Sequence, residues 1–406
     1  MNKASTYYQY LPFFILYFFF NNLFLKEGLL YTTLLVPVFL YWLYKRHRLP
    51  ALLKWSLLLL IPIPFQLMTG IDPSSYFIST MIVASAWIFL FTAIEAVRCT
   101  KDNLGDFFLK ALMVNSVLLF LALITLPFSP LRDFMWNSEP MSMNLAGFPR
   151  LKLLAYEPSH YGLLLAPVFL FYILKVFTGK SAHPLLLAAG AGLPLLLSFS
   201  FGIIGALFIA ILIGSVAYFY KFSLYSRRLI IYGMIFFFVA IGGLWVFWPD
   251  NPLFVRVGNI ITGADSSSKG RLVHSFMFAK DLIIQNDAWM GVGPGQVKIL
   301  AHDLIVNFYR YTGEYAEIVR IPNSMGEMLA TYGMYGFLLK IIFEVFFFIR
   351  LKIYRNLYSL ILFVFIFIYQ FTGSFLVNAA EIGIWAVVFN SRFKGFEIDN
   401  LNPERI

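Results

Sequence analysis

Three short stretches of this 406-residue chain gather residue types that could do chemistry. The first runs Arg150-Leu-Lys-Leu-Leu-Ala-Tyr-Glu-Pro-Ser-His-Tyr-Gly162. Pro158 suits the first turn of a helix, where its missing N–H costs nothing. That puts Glu157 near the N-cap and His160 in the first turn, with Tyr156 beside them and Arg150 and Lys152 just upstream. A helix N-terminus favours an anion. The stretch therefore reads as a phosphate-binding and acid/base cluster, with a capped helix bearing an interfacial His and Tyr as the plainer alternative. The second stretch spans Gly270 to Gln296, and its chemical candidate is Arg271. Leu272, Phe276, Ala279 and Ile283 recur at helical spacing, which predicts an amphipathic helix near 271–285 on a membrane surface, with Trp289 as an interface anchor. Gly291-Val-Gly-Pro-Gly295 reads as a structural turn; without a following Gly-Lys-Ser/Thr it is no phosphate loop for a nucleotide. The third stretch is Arg320-Ile-Pro-Asn-Ser-Met-Gly-Glu327. Asn323 or Ser324 is expected to cap a helix. Glu327 then lies about one turn inside it, and Arg320 is a further basic candidate.

What must hold these residues is a membrane. The chain is 60% hydrophobic and 13% charged, and its mean hydropathy is +0.76. A soluble domain carries roughly 25% charged residues. Apolar runs can be read at about 9–25, 29–44, 51–68, 76–95, 107–127, 159–178, 184–198, 201–220, 228–248, 323–349, 356–373 and 378–391. Hydrocarbon offers the backbone no hydrogen-bond partner, so runs of this kind must be helices. The expected fold is all-α: a polytopic membrane helix bundle of about 12 transmembrane helices, forming one integral domain over 1–406. The runs 184–198 and 378–391 are short for a crossing, and re-entrant hairpins would serve equally well.

Basic residues alternate with neutral connections. They cluster at Lys45/Arg46/Arg48/Lys54, Arg98/Lys101/Lys110, Lys175/Lys180, Lys221/Arg227/Arg228, Arg350/Lys352/Arg355 and Arg392/Lys394. Basic residues favour the cytoplasmic side, which predicts both termini in the cytoplasm. Two long connections, 128–159 and 249–322, then fall on the outer side, and the three stretches lie in them or at the outer start of the apolar run that follows. The net charge of +10 does not indicate nucleic acid, because the Lys and Arg residues sit at helix ends rather than in a basic domain. One cysteine, Cys99, excludes a disulfide framework and a thiolate metal cluster. No metal motif or cofactor site is expected. Lys340, Glu344 and Glu381 are further charges inside apolar runs, with Lys340 and Glu344 spaced to pair on one helix face.

The order of these motifs resembles the polysaccharide polymerase and O-antigen ligase superfamily. The resemblance rests on Gly270-Arg271, on Trp289-Met-Gly-Val-Gly-Pro-Gly-Gln296, and on Asn323-Ser-Met-Gly-Glu-Met-Leu-Ala-Thr-Tyr-Gly333. Ser198-Phe-Ser-Phe-Gly-Ile-Ile-Gly205 and Tyr156-Glu-Pro-Ser-His-Tyr-Gly162 add to it. It implies a GT-C-like, metal-independent glycosyltransferase of the inner membrane, acting on undecaprenyl-diphosphate-linked oligosaccharide. A chain-length regulator and a flippase are the implied partners, alongside membrane lipid. Arg150, Arg271, Glu157 and His160 become the expected catalytic residues, and Lys152, Tyr156, Arg320, Asn323 and Glu327 the expected substrate-binding ones. Ligases of the superfamily typically carry His-Asn where this chain has Pro322-Asn323, which favours a polymerase over a ligase. A lipid-linked glycan flippase is the remaining alternative.

Overall fold

The computed structural model describes residues 3–25, 29–138, 149–179, 183–262, 266–310 and 319–401. Lys26, Glu27 and Lys180 lie outside them, as do 139–148, 263–265 and 311–318 of the long connections. The described chain is overwhelmingly helical: α1 (Lys3–Ile15), α2 (Tyr31–Leu34), α3 (Val36–Lys45), α4 (Leu49–Leu60), α5 (Ile63–Leu67), α6 (Pro73–Thr100), α7 (Leu104–Thr125), α8 (Ser129–Met135), α9 (Pro158–Phe177), α10 (Pro184–Leu197), α11 (Phe201–Ala217), α12 (Leu224–Phe247), α13 (Pro252–Ile261), α14 (Ser266–Lys269), α15 (Ser275–Gln285), α16 (Val297–Leu300), α17 (His302–Tyr309), α18 (Ser324–Arg350), α19 (Leu357–Thr372) and α20 (Ala379–Asn390). Its sheet among the described residues is one two-residue hairpin, β1 (Trp136–Asn137) against β2 (Arg150–Leu151).

Four described stretches are long and apolar enough to cross a membrane: Pro73–Thr125, Pro158–Phe177, Leu224–Phe247 and Ser324–Arg350. The first contains two of the expected spans, joined at a tight turn, Lys101–Asn103. Shorter apolar helices occupy most of the other expected positions. At 14 and 12 residues, α10 and α20 reach about 21 and 18 Å, short of a hydrocarbon core of about 30 Å. The runs at 29–44 and 51–68 are each broken in two, and proline is the cause. Pro37, Pro62 and Pro64 lack the N–H that would continue the ladder, so α2 gives way to α3 and α4 to α5.

One large apolar core joins α1, α3, α6, α7, α9, α11, α19 and α20. A smaller one lies under the second long connection, where Phe278, Ala279 and Leu282 of α15 pack with Val292, Val297, Ile305, Ile321 and Ala330. The buried stripe of α15 is Ser275, Phe278, Ala279, Leu282 and Ile283. Leu272, expected on that stripe, is half exposed. The face is rotated from the predicted one because α15 packs along α18.

The Gly291–Gly295 turn fastens this connection to both halves of the bundle. The Val292 and Gly293 amides donate to the Ala330 and Thr331 carbonyls, at 2.9 and 3.0 Å. The Gln66 side chain donates to the Met290 and Thr331 carbonyls and accepts from the Tyr76 hydroxyl. Gln296 exchanges two bonds with the Asp72 backbone. Gly333, at φ +63°, ψ −162°, is what lets the strands of chain meet: a Cβ there would lie 2.0 Å from the Trp289 carbonyl oxygen. Only glycine adopts that backbone region readily.

Candidate functional site

The site is assembled at one end of the bundle, where α9, α18 and α20 begin and α19 ends. Pro158 occupies the first turn of α9, and Glu157 is its N-cap in extended conformation. The Glu157 carboxylate caps no backbone N–H; it accepts instead from the Ser159 hydroxyl. The β1–β2 hairpin sets Arg150 opposite Asn137. The Lys152 amide, just beyond, donates to the Met135 carbonyl at 3.0 Å. Lys152, Tyr156 and Glu157 line an open groove of about 840 Å³, shared with Asn22, Arg132 and Asn137.

His160 is placed differently from its neighbours. It is 3% exposed, and its ring lies 4.7 Å from that of Tyr156. Neither ring nitrogen has a hydrogen-bond partner among the described residues. Of the two proton-transfer candidates, Glu157 is the one that opens to the groove.

Arg271 reaches the same end from the other connection. It lies in a widened helical turn, Gly270–His274, that leads into α15. Gly270 makes room for the Tyr309 hydroxyl, which a Cβ would approach to 2.9 Å, and that hydroxyl bonds the His274 ring at 2.7 Å. Burial, with Lys269 nearby, holds the His274 imidazole below its ordinary pKa. The Asn323 side chain, fully buried, donates to the carbonyls of Arg271 and Phe371, the latter at 3.2 Å, while its oxygen caps α18 at the Gly326 amide. Glu327 accepts from the Leu376 amide at 2.8 Å. The Arg320 guanidinium stands 4.3 Å over the Phe375 ring and acts electrostatically on Glu327.

All three stretches therefore converge on the segment Tyr369–Leu376. α19 packs against both α9 and the Gly270–His274 turn, and Tyr369 lies within electrostatic range of Glu157, Arg271 and Glu381 together. Sequence reasoning missed Tyr369. Its only signal is a Tyr-Gln pair near the end of an otherwise apolar run. The arrangement combines guanidinium groups able to grip an anion through paired, charge-assisted bonds with a carboxylate open to the groove.

No known family model matches the chain, and no curated protein matches it either.

Proposed function

We propose that the chain is a polymerase of lipid-linked polysaccharide repeat units, working at the outer face of a bacterial inner membrane. The observation that carries this reading is the convergence of Glu157 and Arg271, from two separate long connections, on Tyr369. The orientation finds support in the opposite end of the bundle. There Lys175 sits over Phe171, Phe171 packs on Phe393, and Arg392 donates to the Leu351 carbonyl near Arg350, Lys352 and Arg355. Such a basic end fits the cytoplasmic side, which supports an outer Glu157–Arg271 end.

In this reading two undecaprenyl-diphosphate-linked glycans meet at the groove. An acceptor hydroxyl of one attacks the anomeric carbon of the other. The new C–O bond forms as the bond to the diphosphate breaks, and the hydroxyl proton passes to Glu157. Undecaprenyl diphosphate leaves with its charge met by Arg271 and Arg150, which stabilise it as it grows. Lys152, Tyr156 and Arg320 would bind glycan or phosphate. Asn323 and Glu327 would hold the Arg271 turn and the chain after α19 in register. The diphosphate is already an activated leaving group, so the reaction consumes no nucleotide. Chain-length regulator and flippase are partners of this reading.

The test is purified protein with undecaprenyl-diphosphate-linked repeat unit, read as a ladder of products. Wild type is expected to build a ladder and Arg271→Ala to build none. A normal ladder from both Arg271→Ala and Arg150→Ala overturns the assignment. Transfer to a non-polymeric acceptor without a ladder would indicate a ligase, and movement across vesicles without bond formation a transporter.

A further inference from the structure

Beneath the candidate site lies a cluster of charges that the proposed reaction does not use. Lys340 of α18 donates to Glu381 Oε1 of α20 at 2.8 Å and faces Glu344 Oε1 at 3.4 Å. Glu344 Oε2 accepts from Gln370 Nε2 of α19 at 2.8 Å. Trp385 Nε1 and the Ser324 hydroxyl approach Glu381 Oε1 at 3.4 and 3.5 Å. The carboxylates are 7% and 4% exposed and the lysine 18%. Tyr369 and Glu327 act on Glu381 from farther off.

Charge counting decides what this cluster must hold. Two carboxylates and one ammonium sum to one uncompensated negative charge. An isolated charge in apolar surroundings costs so much that the group takes up a proton instead. Two atoms point the same way. Among the described residues, Glu381 Oε2 and Gln370 Oε1 are buried with no hydrogen-bond partner, and Gln370 is wholly buried. Three donors gather on Glu381 Oε1. Glu344 has only the longer lysine contact and an amide that can serve either protonation state. Gln370 donates through nitrogen to a carboxylate or, turned over, accepts through oxygen from an acid.

We propose that Lys340, Glu344 and Glu381 form a proton-binding site within the bundle that holds one proton between its two carboxyl groups, with Gln370 beside it. This goes beyond the glycan reading and does not depend on it. Glu381 links the cluster to the site above, because it lies within electrostatic range of both Glu327 and Tyr369. Anion binding near Arg271 and proton occupancy of the cluster therefore favour one another.

Infrared difference spectroscopy of the whole protein in lipid nanodiscs tests this through the carboxylic-acid C=O band. A Glu327→Gln background removes the nearby carboxyl of the site above from view; Glu95, also buried, is paired with Arg48 at 2.9 Å. At neutral pH this background is expected to show one protonated carboxyl from the cluster. Adding Glu344→Gln should abolish it, and because Gln reproduces the shape of the neutral acid, that variant should assemble. Lys340→Met leaves two carboxylates with no cation and should raise the band to two. A band unchanged by Glu344→Gln overturns the proposal. So does a band kept in Glu381→Gln, which likewise leaves one carboxylate beside the lysine, or a folded Lys340→Met variant with no gain. If Lys340→Met does not assemble, the Glu344→Gln and Glu381→Gln comparison still decides.

Discussion

Replacing Asn323 by Ala removes three hydrogen bonds at once, and each loss has a size that can be worked from its place. The side-chain oxygen caps α18 at the Gly326 amide, 2.5 Å away; losing such a cap costs about 1 kcal/mol. The side-chain nitrogen joins the Arg271 and Phe371 carbonyls. Asn323 is wholly buried, and a buried carbonyl left unpaired costs about 1–2 kcal/mol. Asn323→Ala is thus expected to destabilise by about 3–5 kcal/mol and to free the Arg271 turn. Asn323→Asp separates the two roles. It keeps the cap but points an oxygen at two carbonyl oxygens, so at neutral pH it should be no more stable than the Ala variant. Acidification should restore part of the loss, since the neutral acid can donate once. The assay is thermal unfolding in detergent with hydrogen exchange across 270–275. An Asn323→Ala protein that unfolds like wild type, with the turn still protected, would refute the idea that Asn323 holds Arg271 in place.

Gly333→Ala should destabilise by about 2–5 kcal/mol, from backbone strain and the clash with the Trp289 carbonyl together; thermal unfolding reads it. Glu157→Gln should leave stability within about 0.5 kcal/mol, because the side chain caps no backbone group, while slowing ladder formation by roughly 10²–10⁴-fold. His160→Phe should keep the ladder and most of the stability, since both ring nitrogens are buried without partners among the described residues; an inactive, folded variant would restore His160 as the base. The His274 pKa is depressed by burial and Lys269. The unfolded chain therefore binds more protons below the ordinary histidine range, and protection of residues 270–275 should fall as pH drops through that range toward the folded value. Hydrogen exchange at a series of pH values checks this.

What was legible in the sequence was local. Pro158 dictates a helix start, and from it follow the positions of Glu157 and His160; Asn323 announces a cap by residue type alone. The breaks at Pro37 and at Pro62 and Pro64 were equally visible, yet hydropathy averages over them and reads 29–44 and 51–68 as continuous. Contacts between distant segments were not legible. Nothing near Tyr369 says that Glu157 and Arg271 will flank it, and nothing near Gln66 says that its amide will meet the Met290 and Thr331 carbonyls. The buried face of α15 was misjudged because period alone cannot tell which neighbour a helix leans on. His160 reads from sequence as a candidate base beside Glu157, and a first-turn position says nothing of its burial, 3% exposed beside the Tyr156 ring.

The pairing of Gln66 also orders the birth of the protein. Its partners lie 224 and 265 residues further along the chain, so α5 leaves the ribosome long before they exist. Tyr76, ten residues on, can serve the side-chain oxygen early, but an NH2 group without acceptors in apolar surroundings costs several kcal/mol. The early helices must therefore keep Gln66 in contact with water or another chain until residues 290–331 are made. Closure of the glycine turn over Gln66 and Tyr76 is then a late step in assembly, open only to a chain that has reached residue 331.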